Sequence, residues 1–150
     1  MKILFDTNII LDIFLARQPF LEKAARLFAK VEQGKLEGVL GATTITTIYY
    51  LISKQLGKKQ TKQVIEKLLN LFEIGSVDHI VLRTSLSLDF PDFEDTVLYQ
   101  VALHNQVQGI VTRDRQGFGK GTLPVYSPEE LLNILNLLKN KENKKINRTN

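Results

Sequence analysis

The sequence predicts an α/β protein in which helices cover both faces of a parallel central sheet. Short apolar segments of strand type alternate with amphipathic helical segments along the chain, and this alternation is typical of parallel sheets flanked by helices. Two of the strand segments end on an aspartate. The 150 residues fit a single domain, without an internal repeat or linker. The prediction is therefore one three-layer α/β/α domain.

The first elements follow from apolar periodicity and from end signals. Residues 2–6 (KILFD) form a short buried strand, and residues 8–16 form a helix with Asn8 as its N-cap. A second helix covers 19–34, where Pro19 suits the first turn and a glycine ends the helix. Residues 36–42 form the second strand.

The segment 43–57 (TTITTIYYLISKQLG) is ambiguous. Its β-branched residues favour a strand, whereas Ile45, Ile48 and Ile52 keep a helical spacing. Gly57 closes the segment as a helix cap would. We therefore predict a helix.

The rest of the chain continues the alternation. Helix 78–88 begins at Asp78, and the last helix begins with Ser127 as cap, Pro128 in its first position and Glu130 completing a capping box. In order, we predict helix 61–72, strand 73–77, helix 78–88, helix 93–107, strand 109–114, a Gly-rich loop, strand 124–127 and helix 127–140.

Composition excludes several classes of site. Cysteine is absent and only two histidines are present, which excludes thiolate and His-rich metal sites. No apolar stretch is long enough to span a membrane, and the lack of cysteine fits the reducing cytoplasm. The net charge of +4 lies entirely in residues 139–150, so residues 1–138 are neutral overall. We expect a domain over 1–138 and a basic, disordered tail over 139–150, although the tail could also help to hold a polyanion.

Acidic residues cluster where a parallel sheet binds ligands, outside the carboxyl ends of its strands. Asp6 and Asp114 each end a predicted strand. Asp92 and Asp95 open the helix that leads into strand 109–114, so they should face the same edge. Because they are three residues apart they should share one helix face, with Glu94 pointing away.

Several carboxylates at one edge repel each other unless a cation lies between them. Hard oxygen ligands without thiolate or imidazole favour Mg²⁺ or Mn²⁺ over zinc, and such a centre suits phosphoryl chemistry. Taken singly, each aspartate has a simpler interpretation. Asp6 could cap a helix, Asp92 and Asp95 could favour a helix N-terminus, and Asp114 could be a turn residue.

Three segments resemble PIN domains: ILFDTNIILD, DFEDTVLYQVALHNQVQGIVTRD and PVYSPEELL. The resemblance covers residues 1 to about 138 and implies a small α/β/α nuclease that cuts RNA with Mg²⁺ or Mn²⁺. It implies that Asp6, Asp95 and Asp114 are metal-site carboxylates. Asn8 and Thr112 would orient water or ligands, with Asp92 as an additional acid. The resemblance adds an antitoxin protein and a second copy of the chain as candidate partners.

The chain departs from the family at Thr47, where PIN domains usually carry another acid. The leading hypothesis is a toxin-like metal-dependent endoribonuclease, with Arg113, Arg115 and Lys120 as candidate phosphate contacts. The alternative is a catalytically weak PIN fold that binds RNA or protein, which Thr47 favours. A Mg²⁺-dependent phosphatase ranks last because the DTN segment lacks the second aspartate of a DxD pattern.

Overall fold

A five-stranded parallel sheet forms the centre of the molecule and confirms the predicted fold class. The computed structural model describes residues 1–148. The strands lie in the order β3-β2-β1-β4-β5, and every neighbouring pair is parallel. Their bounds are β1 Lys2–Phe5, β2 Glu37–Gly41, β3 Glu73–Gly75, β4 Gly109–Val111 and β5 Val125–Tyr126.

Strand β1 is the middle strand because it is apolar on both faces. Ile3, Leu4 and Phe5 are fully buried, and successive side chains of a strand point to opposite faces. Ile3 and Phe5 belong to one apolar cluster, whereas Leu4 belongs to the other. The residue that follows β1 is therefore held at the centre of the sheet edge.

Within residues 1–148, six α-helices cover the two faces of the sheet. The cluster that contains Phe5 also takes the buried side chains of α1, α2, α3 and α6. The cluster on the other face takes those of α4 and α5. The helices are α1 Thr7–Phe14, α2 Leu21–Glu32, α3 Ala42–Leu71, α4 His79–Leu86, α5 Phe93–His104 and α6 Pro128–Ile146, and a short 3₁₀ helix covers Arg115–Phe118. No helix within residues 1–148 has both the length and the apolar character needed to cross a membrane.

The ambiguous segment after β2 is helical, as predicted. It continues with the next predicted helix as α3, and the helical geometry is interrupted at Gly57 (φ 76°, ψ 170°). A positive φ of this kind costs glycine little. Thr61 donates a hydrogen bond to the Gly57 carbonyl at 2.6 Å, so the second half of α3 restarts directly after the interruption.

Two of the predicted element boundaries at the carboxyl edge of the sheet are wrong: the start of the first helix and the end of the fourth strand. Helix α1 begins at Thr7 with Asp6, not Asn8, in the N-cap position, because Asp6 is still extended (φ −65°, ψ 148°). Strand β4 ends at Val111, so Asp114 lies beyond the strand and caps the 3₁₀ helix instead.

Helix α6 confirms its predicted start but extends further than expected. The Ser127 side chain and Glu130 form the capping box. The helix continues to Ile146, so much of the basic segment predicted to be disordered is helical. No glycine or proline interrupts residues 129–146, and lysines in the last turn suit the helix dipole. Residues 149–150 lie outside the described part of the chain, and the domain boundary at 138 stays a prediction.

Candidate metal centre

The pairing of β1 with β4 places two polar residues side by side at the carboxyl edge of the sheet. Phe5 pairs with Val111 at the end of the ladder, so Asp6 and Thr112 leave the sheet together. The Asp6 N–H donates to the Val111 carbonyl at 3.0 Å. The Thr112 hydroxyl donates to Asp6 Oδ2 at 2.7 Å. Both residues are buried, at 6% and 0% exposure, so this hydrogen bond fixes the direction of the Asp6 carboxylate.

The same Thr112 hydroxyl also holds the chain that leads to Asp114. It accepts a hydrogen bond from the Asp114 N–H at 3.0 Å. The Asp114 carboxylate accepts from the Gln116 N–H at 3.2 Å, as the cap of the 3₁₀ helix. One hydroxyl therefore connects Asp6 and Asp114 across the two central strands.

The third carboxylate comes from the start of α5. Asp92 is the N-cap, and its side chain accepts from the Asp95 N–H at 3.1 Å. Asp95, in the first turn, lies directly against the backbone of Gly117 in the 3₁₀ helix, where a Cβ atom would collide with the Asp95 carboxylate. Glycine at 117 therefore leaves room for the Asp95 carboxylate beside the 3₁₀ helix.

These side chains line one open pocket of about 280 Å³. The predicted metal-site residues Asp6, Asp95 and Asp114 all reach it. The candidates Asn8, Asp92 and Thr47 do as well, whereas Thr112 supports Asp6 from outside the lining. The complete lining is Asp6, Thr7, Asn8, Leu11, Thr47, Asp92, Glu94, Asp95 and Asp114. The structure thus brings the predicted residues together, while their chemical roles stay predictions.

The expectation that Glu94 points away is wrong. Glu94 lines the pocket with Asp95. The helical-face argument assumed that Asp92 already belonged to the helix, but Asp92 is an extended N-cap (φ −126°, ψ 130°). Its side chain is therefore not in helical register with Asp95. The sequence did contain a signal for Glu94 in the pocket. Glu94 lies in the first turn of the helix that Asp92 caps, and that turn faces the carboxyl edge of the sheet.

The electrostatics of the pocket show crowding of like charges. Burial, followed by the charges of Asp6, Asp92, Asp114 and Glu94, raises the pKa of Asp95 to about 7. Burial also raises the pKa of Asp6, although the hydrogen bond from Thr112 opposes this. The pKa of Glu94 is raised by burial and then by Asp92 and Asp6. A cation in the pocket would remove this repulsion.

A family model for the PIN domain matches residues 2–116. The chain belongs to the PIN-domain family. It is 27% identical over 142 residues to Ribonuclease VapC1 of Aquifex aeolicus, covering 91% of this chain and 97% of that protein. Two solved structures show the same fold. A toxin–antitoxin complex from Klebsiella pneumoniae matches with a TM-score of 0.63 and 20% identity, over 83% of this chain and 96% of that one. Mycobacterium tuberculosis VapC20, described as a Sarcin-Ricin loop cleaving toxin, matches with a TM-score of 0.63 and 13% identity. The match covers 79% of this chain and 95% of that one.

The donor chemistry of this PIN domain suits a hard divalent cation. The pocket is lined by carboxylate side chains together with Thr47 and Asn8, and the Oδ1 atom of Asn8 is buried without a hydrogen-bond partner. Within residues 1–148, no three acidic or histidine side chains are arranged to hold an ion as they stand. Mg²⁺ typically needs only one or two protein carboxylates, because it retains several waters. The residues therefore fit such an ion.

The three predicted phosphate contacts are each paired with an acid. Arg115 contacts Glu130 at 2.9 Å and Lys120 contacts Asp89 at 2.7 Å, both at the exposed surface. Exposed pairs of this kind are weak and open easily to another anion. Arg113 differs because its partner, Asp12, is buried. Arg115 and Lys120 remain candidates for binding the PIN domain's substrate.

Replacing Gly117 by alanine should destabilise the protein by about 1–3 kcal/mol, a usual cost of overpacking, because the new methyl group meets the Asp95 carboxylate. Gly119→Ala, in the same loop, is the matched control because its Cβ would find only ordinary contacts at 3.6 Å and beyond. Urea unfolding of both variants measures the difference. Equal stabilities would contradict the close approach of Asp95 to the 3₁₀ helix.

The free energy of unfolding of metal-free protein should fall as the pH rises from about 4 to 7. In that window folded Asp95 retains a proton that the unfolded chain has lost, because its pKa is raised from 3.8 to about 7, and stability therefore decreases with pH. Asp95→Asn should flatten the decline. Urea unfolding in EDTA between pH 4 and 8 measures it, and parallel pH profiles for parent and variant would contradict the crowding.

Proposed function

We propose that this PIN domain is a metal-dependent endoribonuclease of the toxin type. The observation that carries the proposal is the convergence of acidic side chains on one pocket at the carboxyl edge of the sheet, from the ends of β1 and β4 and from the start of α5. Five carboxylates around a small open cavity are costly without a cation. They lie at the carboxyl ends of the strands, which is where parallel α/β proteins bind ligands.

Asp6, Asp95 and Asp114 would hold Mg²⁺ or Mn²⁺, with Asn8 beside them. When bound, such an ion polarises a phosphate and lowers the pKa of a water, which supplies the chemistry of phosphodiester hydrolysis. The chain's own residues provide the positions. Thr112 fixes the Asp6 carboxylate from behind, and Asp92 fixes the first turn of α5. Asp114 is exposed, so substrate would enter from its side of the pocket.

RNA is the proposed substrate and an antitoxin protein the proposed partner. The similar protein from Aquifex aeolicus is named a ribonuclease, VapC20 is described as a Sarcin-Ricin loop cleaving toxin, and the Klebsiella structure is a toxin–antitoxin complex. A homodimer and a cytoplasmic location belong to the same proposal. Arg115 and Lys120 would contact phosphates after releasing their acidic partners.

A catalytically weak PIN fold is the second candidate, and Thr47 favours it. Thr47 lines the pocket at the position where the family usually carries an acid. A hydroxyl brings no negative charge, so it stabilises a cation less than a carboxylate would. Glu94 supplies an additional carboxylate to the same pocket, which compensates for part of that loss.

Asp6→Asn and Asp114→Asn should each abolish Mn²⁺-dependent cleavage of RNA while the fold is retained. Asparagine keeps the shape of the side chain but removes the charge that a divalent cation requires. Glu66→Gln is the control for loss of one negative charge, because Glu66 is exposed on α3 and does not line the pocket. Cleavage of a structured RNA by purified proteins, with circular dichroism for folding, checks this. Full activity in either pocket variant would refute the metal assignment.

Thr47→Glu should tighten Mn²⁺ binding by about tenfold, because affinity rises with the number of anionic ligands. Thr46→Glu adds the same charge at the neighbouring exposed position and should change the affinity little. Calorimetric titration of both variants with Mn²⁺ separates the two cases. If the two variants bind equally, Thr47 does not contribute to the ion site, and the second candidate loses its support.

A further inference from the structure

Asp12 is a completely buried carboxylate in the last turn of α1, at 0% exposure. Its neighbours on the helix, Ile9, Ile10 and Leu11, belong to the apolar core. A buried charge without a partner costs several kcal/mol. The folded protein therefore requires a cation at this point, and the chain must deliver one from elsewhere.

Arg113 is that cation. Its Nε donates to Asp12 Oδ2 at 2.7 Å and its Nη2 donates to Oδ1 at 3.1 Å. Such two-pronged contacts are strong and fix the orientation of both groups. The guanidinium also lies 3.9 Å from the centre of the Phe20 ring, which adds a cation–π contact. Carboxylate and ring together leave the guanidinium little freedom.

Asp12 and Arg113 are close in sequence to residues of the proposed metal site. Arg113 lies between Thr112 and Asp114, and Asp12 lies on the helix whose N-cap is Asp6. The ion pair therefore joins the α1 side of the pocket to the segment after β4, in parallel with the hydrogen bond from Thr112 to Asp6. Two independent connections across the same gap determine how far Asp114 can lie from Asp6.

We propose that Asp12 and Arg113 are positioning residues, which hold Asp114 beside Asp6 in the pocket proposed to bind a divalent ion. This inference deepens the proposed function and depends on it for the identity of the ligand. It gives Arg113 a positioning role, and the phosphate contact predicted for Arg113 stays a prediction. The charge of Arg113 is compensated by a buried carboxylate, and 28% of its side chain is exposed, so the role assigned to it here is to support the pocket.

The test uses the full chain with Asp12→Leu and Arg113→Met combined. Replacing a buried ion pair by apolar side chains is often neutral or stabilising, whereas removing one partner is not, so the double variant keeps the fold. Glu32→Leu with Lys67→Met is the matched control. This pair is also an ion pair, at 2.8 Å, and Lys67 also lies over a ring, that of Phe28, but α2 ends at Glu32, away from the pocket.

The first readout is amide hydrogen exchange in metal-free protein. The Asp114 N–H donates to the Thr112 hydroxyl. Loss of the Asp12–Arg113 ion pair should therefore speed the exchange of this amide by about tenfold or more through local opening. The amides of β4 should remain protected. Unchanged exchange at Asp114 in the double variant would overturn the proposal, whatever the protein does with metal.

The second readout is Mn²⁺ affinity by calorimetry. Residues that orient metal ligands typically contribute about 10- to 100-fold to affinity, so the double variant should bind Mn²⁺ that much more weakly than the parent and the control. Parent-like affinity would overturn the proposal. If the parent protein binds no Mn²⁺, the proposed function is overturned instead. The hydrogen-exchange comparison would still decide whether the Asp12–Arg113 ion pair positions Asp114.

Discussion

The site depends on the register between β1 and β4. Phe5 lies opposite Val111, and the next residue of each strand is Asp6 or Thr112. Their hydrogen bond forms only in this register, since a shift by one residue would turn every side chain of the strand to the opposite face. The central position of β1, with core on both faces, keeps the register in place. The position of Asp114 follows from it.

In the pocket, carboxylates that repel each other are held in place by hydrogen bonds. Burial and like charges raise the pKa values of Asp6, Glu94 and Asp95. A flexible surface would relax by moving the carboxylates apart. Here they are held by an N-cap, a 3₁₀ turn and the hydroxyl of Thr112. The energy of folding is thus used to keep charges together, which is how protein sites are prepared for a ligand of opposite sign.

The sequence predicted the features that depend on local chemistry. The alternation of strands and helices, the capping box at Ser127 and the break at Gly57 each rest on residues close in the chain. The convergence of Asp6, Asp95 and Asp114 was also predictable, because parallel strands end at a common edge. Glu94 was misplaced because the helical face was counted from Asp92, which lies outside the helix.

The pairing of Asp12 with Arg113 could not be predicted, because the two residues are 101 positions apart and nothing local distinguishes this aspartate from an exposed one. The length of α6 was underestimated for a different reason. A run of lysines and asparagines resembles a disordered segment in composition, yet the segment continues a helix that has a strong N-terminal cap.

The direction of α6 gives the molecule an electrical polarity. The helix starts just after β5, near the carboxylate edge, and a groove bordered by Leu135, Leu138 and Lys139 also contains Met1, which precedes β1. The charged residues that give the chain its net charge lie within 139–148, so the positive segment and the acidic pocket lie at opposite poles. A polyanion approaching from solution is first attracted to the pole that lacks the pocket. Cations bound at the other pole would neutralise its carboxylates and so weaken that preference.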